Sequence, residues 1–159
     1  MTYFSNRAKT RANSVRMVNR VTSTFQREFV TRREEFRRAG DDLAAWLDAE
    51  NIPASAALVA RLALDELVAN VAAHGADDGR EPIVSFTCNA EPGHLLVQVD
   101  DDGLPFDPRQ VPSPDLDVPL DERRIGGLGL HLLRRLASRF DYERRDGRNR
   151  VTLAADYEA

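Results

Sequence analysis

Twelve residues, from Leu62 to Ala73, contain only three polar side chains, Asp65, Glu66 and Asn70. So apolar a run predicts a helix buried on nearly every side. Pro53 suits its opening and Gly75, just after His74, its end. Glu66 and Asn70 are four residues apart and share one face, with His74 a further turn along. A buried carboxylate is costly without a partner. Beside a carboxamide it supplies several oxygens at one place, an arrangement suited to magnesium and a reacting hydroxyl. An arginine partner for Glu66 and a loop hydrogen bond for Asn70 would satisfy the same residues without any chemistry.

The remaining elements can be set around this helix. Phe25 and Phe29 mark a short strand, and a charged helix follows from about Arg32 to Glu50, with Phe36, Leu43, Ala44, Trp46 and Leu47 on its buried side. Ile83 to Asn89 and Leu95 to Asp100 read as a hairpin across Glu91-Pro92-Gly93. Strand parity puts Leu95, Val97 and Val99 on the core face; Asp101 continues that parity inward, while Asp100 points out. An inward carboxylate followed by Gly103 suits a purine pocket, the acid accepting from an exocyclic amine while glycine lets the backbone approach the ring. A polar turn after a strand uses the same two residue types.

Residues 103 to 125 hold Pro105, Pro108, Pro112, Pro114 and Pro119 and show no period, which predicts a long loop. Gly126-Gly127-Leu128-Gly129-Leu130 then opens an apolar helix through Leu133 and Leu136, and free amides at a helix start bind phosphate. Hinges and tight packing also call for glycine. No P-loop motif exists in the chain. Phe140 to Arg145 and Arg148 to Ala154 form a closing hairpin across Asp146-Gly147.

At 159 residues the chain is expected to hold one core. No apolar run approaches the ~20 residues of a bilayer span, so no membrane role is expected. Cys88 is the only cysteine, which excludes an internal disulfide or a thiolate metal cage and fits a reducing, cytoplasmic setting. A net charge of -4 gives no reason to expect direct nucleic-acid binding. The charge is uneven: Arg7, Lys9, Arg11, Arg16 and Arg20 occur in the first 24 residues without an acid, which leaves 17 basic against 26 acidic groups for the rest. Residues 1–23 therefore read as a basic amino-terminal arm or short helix, with Ala8, Ala12, Val15 and Val18 at helical spacing, and residues 24–159 as the domain.

A carboxylate-carboxamide helix, an Asp-x-Gly strand end, a long loop and a glycine-opened helix, in that order, resemble the histidine-kinase-like ATPases with the Bergerat ATP-binding fold. Glu66-Leu67-Val68-Ala69-Asn70 is similar to their N-box, and Asp101-Asp102-Gly103-Leu104-Pro105-Phe106-Asp107-Pro108 to their first glycine box. Within that group the Asp-Asp-Gly-Leu-Pro-Phe-Asp-Pro run and Glu122-Arg123-Arg124-Ile125 resemble stand-alone anti-sigma factor serine/threonine kinases. The resemblance implies an α/β (α+β) two-layer sandwich: a mixed, largely antiparallel sheet covered on one side by helices, with an ATP lid at about 104–125. It implies ATP and Mg²⁺ as cofactors, Glu66 as general base and Asn70 as magnesium ligand. Asp101 and Gly103 would serve adenine, with Gly127, Leu128, Gly129 and Leu130 around the phosphates. Arg124 or Arg123 would offset phosphoryl charge.

The same resemblance implies an anti-anti-sigma domain as serine substrate, a sigma factor as a further partner and a possible homodimer. A sensor histidine kinase needs a phosphoacceptor histidine on a dimerising helix, and His74, His94 and His131 all fall within the ATP domain. The competing expectation is a non-catalytic, ATP-dependent binding module that sequesters a regulatory partner. The presence of Glu66 favours the kinase, since binding alone needs no base.

Overall fold

The computed structural model describes residues 23–76, 78–113 and 127–158. Five strands, β1 (Ser23–Val30), β2 (Ile83–Glu91), β3 (His94–Asp101), β4 (Arg139–Arg145) and β5 (Arg148–Asp156), form one sheet in the order β1-β2-β3-β5-β4. All four neighbouring pairs are antiparallel. The β4-β5 hairpin turns on Asp146 and Gly147, both at positive φ, as a two-residue hairpin turn requires. β1 begins at Ser23, one residue before the boundary read from the sequence, and the arm itself lies outside the described residues.

Alternation along the strands makes the sheet two-faced. Phe29, Phe86, Cys88, Val97, Val99, Val151 and Leu153 are buried against the helices. Gln26, Thr87, Gln98 and Arg150 stand on the opposite, polar face. Asp100 belongs to that second face, as parity predicts, yet it is only 8% exposed, because Gln98 and Arg150 bond its carboxylate at 2.7 and 2.6 Å. An ion pair therefore covers an acid expected in solvent.

The helical layer holds α1 (Arg33–Ala49), α2 (Ala54–Leu62), α3 (Val68–His74) and α4 (Leu128–Leu136). Ala39, Leu43 and Leu47 carry the buried stripe of α1. The helix predicted from Pro53 to His74 is present as α2, a π-helical turn over Ala63–Leu67, and α3. Its burial is one-sided: Ala60, Ala63, Leu64 and Val68 are buried, while Ala69, Ala72 and Ala73 are exposed and Leu58 is 44% exposed. The outer face is built mainly of alanine, which loses little by facing water and favours helix strongly. In α4, Leu130 and Leu133 are buried but Leu136 is 44% exposed, because the last turn runs past the edge of the core.

Candidate functional site

Asp101 ends β3 on the inner face and is 5% exposed. Its Oδ1 accepts from the Gly103 amide and from Asn149 Nδ2, both at 2.8 Å. Burial raises its pKa above the ordinary aspartate value, and the hydrogen bonds from Asn149 and Gly103 only partly oppose that shift. Oδ2 has no bond among the described residues. One carboxylate oxygen is thus fixed and the other is left as a strong acceptor at the pocket.

Asn149 pairs with Asp101 across the β3-β5 register and is 3% exposed. Its Nδ2 also donates to the Leu104 carbonyl at 2.8 Å, while its Oδ1 accepts from the Tyr142 hydroxyl at 2.9 Å and Arg144 Nη1 at 2.8 Å. All four hydrogen-bonding capacities of the carboxamide are used. Arg144 donates as well to the Gly103 carbonyl at 3.1 Å. Gly103 itself is confined: a Cβ there would lie 2.8 Å from Asp101 Oδ1 and 2.9 Å from the Gly75 carbonyl. Any larger residue would push the end of α3 away from the strand. Asp102 plays a different part, since its carboxylate receives the Ile83 amide and Arg80. Burial works against its ionisation, but those contacts prevail and its pKa is lowered.

Asn70, Gly75, Asp101, Phe106 and Asn149 line one narrow pocket, with His74 at its rim. Asn70 Nδ2 is buried without a partner among the described residues. Such an orphan is costly unless something binds there, and a half-turn of the carboxamide presents Oδ1 at the same point. No group of three or more His, Cys, Asp or Glu side chains among the described residues could hold a metal ion. A divalent cation at Asn70 would therefore depend on ligand phosphates and water for its remaining bonds, as magnesium commonly does.

Glu66 lies within the π turn, an irregularity often found at functional sites, and is half-buried. Its carboxyl group packs directly on Gly129, where a Cβ would collide with it. Gly127 precedes α4 at φ +87°, a conformation that favours glycine, with open space beside it. The first amides of α4, at Leu128, Gly129 and Leu130, lack helical partners and carry the positive end of the helix dipole. An acid from one helix thus meets the anion-binding end of another.

The root of the long loop is fastened on both sides. Asp107 accepts from Arg109 and Gln110 and caps a 3₁₀ turn over Pro108–Gln110. Arg134 of α4 donates to the Pro108 and Val111 carbonyls at 2.6 and 2.5 Å, and His131 Nδ1 meets Ser113 Oγ at 3.3 Å. Pro108, Val111 and Ser113 are thereby held against α4. Arg123, Arg124 and Gly126, and the loop from residue 114 onward, lie outside the described residues.

The family model for the histidine kinase-like ATPase domain matches residues 29–155, most of the chain and all of the geometry above. The chain belongs to the histidine kinase-like ATPase family. It is also 33% identical over 94 residues to a serine/threonine-protein kinase, BtrW, of Bordetella bronchiseptica. That alignment covers 59% of this chain and 66% of the relative.

A histidine kinase-like ATPase binds ATP with magnesium, and the residues here fit both: an orphaned carboxamide at Asn70, an unshared Asp101 oxygen, and a glycine-opened helix start. Asn70 and Asp101 both line the pocket, Gly103 is bonded to Asp101 without lining it, and Glu66 meets Gly129 beside Gly127, Leu128 and Leu130. Sequence reasoning missed Asn149, Tyr142 and Arg144. The signal for Asn149 was present, because the parity of Leu153 and Val151 carries it to an inward position, as that of Val99 carries Asp101. Tyr142 and Arg144 act on it across the hairpin, which no local pattern reveals.

Proposed function

We propose that this chain is a protein serine/threonine kinase, transferring the γ-phosphoryl group of ATP to a serine of a small anti-anti-sigma domain. The observation that carries this reading is the Glu66 carboxyl group on Gly129, beside the free amides of α4. A module that only binds nucleotide has no need of a base there. In the proposed reaction Glu66 accepts the serine hydroxyl proton as the oxygen attacks the γ-phosphorus, and the bond from that phosphorus to the β,γ-bridging oxygen breaks, the oxygen leaving with ADP. Asp101 accepts from the adenine amine, and a guanine carbonyl at that point would meet it as acceptor against acceptor. Asn70 would hold magnesium, which neutralises phosphate charge. The amides of Leu128, Gly129 and Leu130 receive phosphate oxygens.

Among the described residues no helix is long and apolar enough to cross a membrane. Cys88 is fully buried, and burial pushes its thiol pKa far up, which leaves it unreactive and suits a cytoplasmic regulator. A sigma factor is the natural further partner on this reading, and self-association into a homodimer belongs to the same proposal. The test is incubation with Mg-ATP labelled at the γ-phosphate and candidate anti-anti-sigma domains. Acid-stable label on a partner serine supports the proposal. ATP-controlled partner binding without label on any candidate replaces it with the sequestering module.

A further inference from the structure

A second concavity lies on another face of the helix that carries Asn70. Arg33 and Phe36 of α1 and Val68, Ala69, Ala72 and Ala73 of α3 line a mainly apolar groove of about 390 Å³, open to solvent and separate from the Asp101 pocket. Three exposed alanines beside an aromatic ring let another backbone come close, and nothing among the described residues covers them. Thr31, at the exit of β1, closes one end.

We propose that this groove seats the chain's own amino-terminal segment, with Phe4 as the inserted side chain. Three observations converge on that occupant. Phe4, Ala8, Ala12, Val15 and Val18 form one stripe at helical spacing. The segment ends at Ser23, and β1 runs the eight residues from there to Thr31, a span of roughly 26 Å. Phe4 is nineteen residues before Ser23, about 28 Å along a helix, so a helix laid beside β1 brings it to the groove. The charge of the domain as a whole agrees, with Arg33 the charged side chain on the groove itself: residues 1–22 hold five basic side chains and no acid, against 17 basic and 26 acidic in the remainder. The docked segment rests on the helix bearing Glu66 and Asn70, so its presence stiffens that helix.

The inference does not depend on kinase activity, and its test uses no nucleotide. In the full chain, hydrogen exchange is followed across residues 66–74 for the wild type and Phe4→Asp. Loss of about tenfold protection in the variant, with the sheet unaffected, supports the proposal. Equal protection overturns it. A second experiment pairs Phe4→Cys with Ala72→Cys and applies a short bis-maleimide, Cys88 being too buried to compete. Cross-linking within one chain supports the proposal, with Phe4→Cys plus Thr87→Cys on the outer sheet face as the negative control. Cross-linking between two chains assigns the groove to a second copy and overturns it, and so does no cross-linking.

Discussion

Asp101→Asn separates what the site does for the fold from what it does for a ligand. The substituted carboxamide keeps Oδ1, and with it the Gly103 and Asn149 hydrogen bonds at 2.8 Å. It replaces the free Oδ2 with an NH₂ group, which in the proposed adenine pocket meets the purine amine donor to donor. A lost hydrogen bond to a charged acceptor is worth about 1.5 to 3 kcal/mol, a weakening of roughly 10- to 150-fold in ATP affinity. Stability of the free protein moves the other way. Burial raises the Asp101 pKa in the folded state, so at neutral pH the buried charge disfavours folding, and removing it stabilises. A raised folded pKa means the folded state takes up this proton first on acidification. The wild type therefore regains the difference as pH falls through the raised value toward 3.8, and the variant's advantage shrinks. Calorimetry with Mg-ATP and denaturant melts across pH measure both. Unchanged ATP affinity in a folded variant, or a stability gap that widens on acidification, refutes the reasoning.

Gly129→Ala drives a methyl group into the Glu66 carboxyl group. The acid is displaced, so phosphoryl transfer is expected to fall by about 10² or more, while alanine's helix preference keeps the melting temperature near wild type; retained turnover would show that Glu66 is not needed in that place. Asn149→Ala strips one donor from Asp101, removes the acceptor of Tyr142 and leaves Arg144 only the Gly103 carbonyl, with an expected cost of about 1 to 3 kcal/mol in stability and a smaller loss of ATP affinity than Asp101→Asn, read by melts and calorimetry. Leu133→Ala should destabilise by about 2 to 5 kcal/mol and Leu136→Ala by well under 1, since the first is fully buried and the second 44% exposed; equal effects in denaturant melts would contradict the packing of α4.

Local signals that repeat at a fixed period carried far into the structure. The alternation Leu95, Val97, Val99 fixed the inner face of β3 and sent Asp101 to the pocket, and Asp146-Gly147 closed the last hairpin as its turn chemistry requires. The order of the three polar clusters likewise led to the fold. What stayed hidden depends on neighbours distant in sequence. Apolar composition from Leu62 to Ala73 suggested burial all round, but alanine is compatible with either environment, and only the sheet's position decides which side faces water. The π turn at Ala63–Leu67 leaves no mark in composition. The Asn149 network joins β3, β4 and β5, so its members gain meaning only once the register is known.

Glu66 is proposed to serve the transfer step rather than the binding of nucleotide. Glu66→Gln keeps the shape against Gly129 but cannot take the serine proton. The measurement is single-turnover transfer of labelled γ-phosphate to the partner serine, paired with calorimetric ATP affinity for the same two proteins. Transfer is expected to fall by roughly 10²- to 10⁴-fold with ATP affinity nearly unchanged. Transfer at the wild-type rate by Glu66→Gln, or affinity and transfer falling together by the same factor, would contradict it.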